Sequence, residues 1–162
     1  MLLYLLRHGD ALQTPSLGDS ERPLSDLGKR QAEAVGAFLR LSNISVDKIF
    51  TSPLVRAVET SNIVGKSIGV QTPIQTEYLV PGTRKTQLFD MLNSEKPKSA
   101  LLVGHEPHLS QTVSLLLTAE ENLPIEFKKC SLACLVASDP IRKGHALLQW
   151  LLAQDQLQLV QR

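Results

Sequence analysis

The chain has little of what a secreted, membrane-bound or polyanion-binding protein would need. It holds two cysteines, Cys130 and Cys134, in a β-like stretch. Extended backbone would set them about 13 Å apart on one face, too far to bridge. Reduced thiols fit a cytoplasmic address. Met1 to Leu6 carries no basic n-region and is shorter than a usual apolar h-region, so no secretory signal is expected there. No apolar run approaches the roughly 20 residues of a membrane span. Nor does one charge dominate: seventeen Lys and Arg stand against sixteen Asp and Glu, a formal +1. No global field then draws the chain to nucleic acid or anionic lipid, and any anion binding must be local. No repeat, low-complexity segment or linker divides the sequence. A single domain over residues 1–162 is expected, large enough to bury roughly 70% of the surface its unfolded chain exposes.

What the chain does have is a set of abrupt junctions. Leu2-Leu3-Tyr4-Leu5-Leu6 reads as a buried strand that stops at Arg7-His8-Gly9-Asp10. Gly9 permits a sharp turn and the close approach of another group. A polar loop follows from Ala11 to Pro23. Ser25 then caps an amphipathic helix running to about Leu41. Asp47 to Thr51 is a second strand, and Ser52-Pro53 opens a second helix, Ser as cap and Pro at the first helical position. Gly65 and Gly69 mark its end. Gln71 to Thr76 is a weaker strand, Val80 to Thr83 a turn, and Thr86 to Asn93 a short helix. Ser99 to Val103 is a clear strand ending at Gly104-His105, after which Glu106-Pro107 starts another helix. Ser131 to Ala137 and Ala146 to Leu152 read as strands, and Leu157 to Val160 adds a little more. Strands separated by helices tend to run parallel. The expected fold is a three-layer α/β/α sandwich with a mainly parallel central sheet and an antiparallel edge strand from the tail.

Parallel strands put the junctions at Arg7-His8, Thr51 to Arg56 and Gly104-His105 on one sheet edge, where open α/β sheets bind ligands. Two arginines and two histidines then converge. A guanidinium fork matches phosphate oxygens bidentately, and two of them define a dianion site. A nucleophilic histidine must be neutral, and Arg7, Arg56 and a protonated His105 would keep His8 so. A metal site drawn from His8, Asp10, His105 and His108 is disfavoured because the arginines beside it repel a cation. Gly65-Lys66-Ser67 imitates a phosphate-binding loop but lacks the glycine required at residue 60. His108 could touch substrate, though a surface position is the simpler expectation, and Lys128-Lys129 reads as solvated charge.

Taken in order, Arg7-His8-Gly9, Arg22-Pro23-Leu24-Ser25 with Gly28 and Gln31-Ala32, Ser52-Pro53-Leu54-Val55-Arg56-Ala57 with Thr60, and Val103-Gly104-His105 resemble the histidine phosphatase superfamily. That superfamily includes the cofactor-dependent phosphoglycerate mutases. The Asp19 to Pro23 stretch and Leu79-Val80-Pro81 look most like its SixA-type phosphohistidine phosphatases. The resemblance implies a phosphoglycerate mutase-like fold, His8 as nucleophile, and Arg7, Arg56 and His105 around the transferring phosphoryl group, with Arg22 as a further phosphate contact. It implies no cofactor and no metal.

At one step the chain departs from the wider superfamily. Pro81 stands where a glutamate acid is expected in mutase-like and ester-cleaving members, and proline cannot donate a proton. Asp19 and Glu77 are the candidate substitutes. Phosphohistidine needs an acid less, because imidazole leaves more readily than an alkoxide. The expected substrate is therefore phosphohistidine in a signalling protein such as a phosphotransfer domain, with the enzyme a monomer and neither nucleic acid nor membrane a partner. A small-molecule phosphomonoesterase or mutase, and a phosphate-binding module without turnover, are the rival readings.

Overall fold

The computed structural model describes residues 1–13 and 15–159. In chain order the elements are β1 (Leu2–Arg7), α1 (Asp26–Leu41), β2 (Lys48–Thr51), α2 (Val55–Ile68), β3 (Ile74–Gln75), α3 (Lys85–Glu95), β4 (Ser99–Gly104), α4 (His108–Thr118), β5 (Leu132–Ala137), β6 (Ala146–Leu152) and α5 (Gln154–Leu159). β1 is apolar on both faces, and a strand shows alternate side chains to opposite sides. Leu3 and Leu5 accordingly join one core, closed by Leu88 and Leu92 of α3 and Leu109 and Val113 of α4. Tyr4 and Leu6 join a second, closed by Val35 and Leu39 of α1 and Ala57 and Val64 of α2. Each fully buried leucine is worth about 1.5–3 kcal/mol over its exposed state, so these two cores hold the three layers together.

The sheet order is β3-β2-β4-β1-β5-β6. β1, β2 and β3 belong to the parallel set with β4, and the registers pair Arg7 with Gly104 and Thr51 with Val103. The carboxyl ends of β1, β2 and β4 therefore share one edge, as the junctions require. The tail supplies two strands: β5 runs antiparallel beside β1, and β6 pairs antiparallel with β5 at the sheet edge. The fold is the mixed, phosphoglycerate mutase-like α/β arrangement expected.

Several boundaries differ from the sequence expectation; β3 pairs only over Ile74–Gln75 rather than Gln71 to Thr76, and α3 extends to Lys85–Glu95. α2 begins at Val55 with Leu54 as cap, and Ser52, two residues ahead of that cap, pairs its hydroxyl with His105 and accepts from Leu54 N–H. Gly65 lies inside α2, where a side chain would meet the backbone of Val70, and only Gly69, at φ 79°, ends the helix. α4 begins at His108, with Pro107 as cap. Leu157 sits in the short helix α5, where it packs into the core shared with α1, and Val160 lies outside the described residues.

Candidate active site

The loop after β1 is clamped before any catalytic side chain is placed. A Cβ on Gly9 would lie 2.7 Å from the Gly28 carbonyl oxygen, and one on Gly28 would run into the backbone of Asp10. Only paired glycines let the loop lie on the first turn of α1. Ser25 completes the clamp: its Oγ accepts from Gly28 N–H at 3.1 Å, capping α1, and donates to Asp10 Oδ2 at 2.6 Å. Thr60 adds an acceptor for Gly9 N–H at 3.1 Å.

His8 is thereby held at the sheet edge, 7% exposed. Its Nδ1 lies 2.6 Å from the Gly9 carbonyl oxygen. A carbonyl only accepts, so Nδ1 carries the proton and Nε2 keeps a lone pair. Arg56 Nε donates toward that Nε2 at 3.3 Å. Burial is the main force pushing the His8 imidazole down to about 4; the Gly9 carbonyl opposes it, and Arg56, Arg7 and Lys129 add to it. The ring is neutral at pH 7. The cations thus act as expected, but behind burial.

His8 opens on a cavity of about 360 Å³ that is also lined by Arg7, Arg56, His105, Arg22 and Asp19. Arg56, buried in the first turn of α2, donates from both terminal nitrogens to Asp19, to its backbone carbonyl and, at 2.9 Å, to its carboxylate. Arg22 Nη1 donates to the other Asp19 oxygen at 3.0 Å, and its Nε to the Leu12 carbonyl at 2.8 Å. These bonds, from Arg56 above all and then Arg22, hold the Asp19 carboxyl below the usual range, so it is ionised. Arg7 Nη1 donates to the Phe127 carbonyl at 2.7 Å, while its Nε is buried without a partner among the described residues.

His105 corrects one expectation. Burial, then the neighbouring His8 and Arg56, push its imidazole down to about 3, so it is neutral and adds no charge to the ring of cations. Its ring centroid lies 4.9 Å from that of His8. Its Nε2 pairs with Ser52 Oγ at 2.8 Å, and its Nδ1 is buried without a partner among the described residues. Glu77 is exposed on a 3₁₀ turn, Glu77–Leu79, and does not line the cavity, whereas Pro81 does. No group of three or more His, Cys, Asp or Glu among the described residues is placed to hold a metal ion.

The model of the histidine phosphatase superfamily, branch 1, matches residues 3–79. A phosphohistidine phosphatase SixA homolog of Haemophilus influenzae is 30% identical over 147 residues, covering 84% of this chain and 88% of that protein. The chain belongs to the histidine phosphatase superfamily. Within that superfamily it is SixA-like. The phosphohistidine phosphatase SixA of Escherichia coli is 24% identical over 165 residues, 98% of each chain. The solved structure of the protein histidine phosphatase SixA complexed with tungstate shares the fold at a TM-score of 0.87 and 22% identity, covering 97% of this chain and 99% of that one.

Two residues of this superfamily member lie elsewhere than the sequence suggested. Lys129 lines the cavity and pairs with Asp10 at 2.5 Å. The signal was there to use: an antiparallel strand starts at the edge where its parallel neighbours end, so residues just before β5 arrive at the site. His108 is 1% exposed rather than at the surface, and neither ring nitrogen has a partner among the described residues. Cys130 and Cys134 are both free and buried; only Cys134 is in a strand, and burial pushes the Cys130 thiol up to about 12.

Proposed function

We propose that this SixA-like member of the histidine phosphatase superfamily removes phosphate from phosphohistidine in a partner protein, through a covalent intermediate on His8 and without a metal. One observation carries the reading: a buried, neutral imidazole with its proton fixed on Nδ1 and its lone pair at Nε2, facing a cavity of arginines. Nε2 attacks phosphorus, and the partner's imidazole departs. Water then attacks the phosphoenzyme and the electron pair returns to Nε2. Phosphoryl transfer through a loose transition state asks the protein chiefly to position and to stabilise charge on the equatorial oxygens. Arg7, Arg56 and Arg22 are the cations for that task. With Ser52 Oγ donating to Nε2, His105 offers Nδ1–H as a neutral donor beside them. Asp19 holds the Arg56 fork until a phosphoryl group replaces it.

Pro81 in the cavity wall supports a labile N–P bond over a phosphate ester. Among the described residues no helix is long and apolar enough to cross a membrane, and we assign the protein to the cytoplasm on its reduced thiols. Turnover of a phosphohistidine-bearing protein and of phosphoglycerate, measured side by side, tests the substrate. We expect strong preference for the former. Preference for phosphoglycerate would overturn the substrate assignment, and phosphate binding without turnover by the unmutated protein would leave only a binding module.

A further inference from the structure

The superfamily's usual acid position is Pro81, yet the cavity is not without a carboxyl that can carry a proton. Glu106 follows His105 directly and lines the same cavity as His8 and Pro81. Its Oε1 accepts the Ser110 backbone N–H at 3.1 Å, so the first turn of α4 fixes the carboxyl's orientation. The other acidic groups near the site are spoken for. Asp19 is ionised between Arg56 and Arg22. Asp10 is ionised by Lys129 and Ser25. Glu77 does not line the cavity. Glu106 goes the other way: burial raises its proton affinity, Ser110 and Arg7 offset part of that, and Glu126 adds to it.

We propose that Glu106 is the proton donor to the leaving group, and in the second step the base that takes a proton from the attacking water. In the first step Nε2 of His8 bonds to phosphorus, the bond from phosphorus to the leaving group breaks, and the Glu106 proton passes to the departing atom. In the second, water oxygen bonds to phosphorus, its proton goes to the Glu106 carboxylate, and the P–Nε2 pair returns to His8. The enzyme ends as it began. The donor is thus neither Asp19 nor Glu77; on phosphohistidine its proton goes to the departing imidazole nitrogen, a modest aid to a good leaving group, and esters with poorer leaving groups make that aid measurable. The inference rests on the phosphatase reading above.

The test is rapid-quench measurement of phosphate transfer to His8 from a series of phosphate monoesters, running from p-nitrophenyl phosphate to alkyl phosphates. Glu106→Gln keeps the size of the side chain and the acceptor for Ser110. We expect it to slow alkyl donors about 100-fold more than it slows p-nitrophenyl phosphate, within the usual span of a lost acid. Acetate added to Glu106→Ala should restore part of the alkyl rate. Equal slowing across the series, or no slowing at all, would overturn the assignment. If the unmutated protein forms no phosphoenzyme from any donor, the phosphatase reading itself falls, and this inference with it.

Discussion

Replacing His108 by leucine should make the fold more resistant to acid. In the folded protein burial holds this imidazole down to about 4, with the Lys85 ammonium adding to the effect and the Tyr78 carbonyl and Glu121 opposing it. In the unfolded chain it titrates near ~6.5. Between those values the unfolded state binds a proton that the folded state refuses. Stability is therefore complete above pH ~6.5 and drains as pH falls toward 4. With ~1.4 kcal/mol per pKa unit, His108 alone lowers stability by roughly 2 kcal/mol between pH 8 and pH 5. His8 and His105, pushed down to about 4 and about 3, drain it in the same direction. Three such losses, roughly 6 kcal/mol, are a large share of the 5–15 kcal/mol that holds a typical domain folded. Urea unfolding followed by circular dichroism at pH 8 and pH 5 reads the difference. His108→Leu should lose about 2 kcal/mol less than the parent across that interval. At pH 8 it should be at least as stable, because neither buried ring nitrogen it removes makes a hydrogen bond of good geometry among the described residues, the Tyr78 carbonyl included. Equal losses in the two proteins would refute the buried, neutral state of His108.

Two further substitutions test the site and its scaffold. If Arg56 gives the phosphoryl group the two charge-assisted bonds proposed for it, Arg56→Ala loses about 3–4 kcal/mol, and kcat/KM on a phosphohistidine protein should fall about 10²- to 10³-fold. Arg56→Lys should recover little of it, because an ammonium lacks the fork; near-parental activity of either variant would remove Arg56 from the mechanism. Gly28→Ala drives a methyl into the Asp10 backbone. It should cost about 3 kcal/mol and lower Tm by about 6–12 °C in a thermal melt, and an unchanged Tm would show that the loop after β1 is not clamped as described.

Much of this molecule is legible without coordinates because its site is built from strand ends. The apolar runs Leu2–Leu6 and Ser99–Val103 identify buried strands, parallel pairing brings their carboxyl ends together, and the residues at those ends are Arg7, His8 and His105. Arg56 follows because β2 belongs to the same parallel set. What escaped the sequence depends on contacts across long stretches of chain. Lys129 reaches the site only through the pairing of β5 with β1. The neutrality of His105 comes first from burial, which no spacing of residues records. Ser52 looks like a helix cap in sequence, but α2 starts too late for its Oγ to reach the N–H groups of the first helical turn; it accepts instead from Leu54 N–H, at 3.4 Å, and pairs with His105 Nε2. Glu106 looks in sequence like the start of a helix, whereas α4 begins at His108 and leaves Glu106 on the cavity wall.

The proposed activity turns on Nε2 of His8 taking a phosphoryl group. Mixing the protein with a phosphohistidine donor, quenching in alkali within milliseconds and mapping phosphate by mass spectrometry measures that step directly. An acid-labile phosphate on His8, absent from His8→Ala, is the predicted result. Free phosphate released with no label on His8 at any time, or a label retained by His8→Ala, would contradict it.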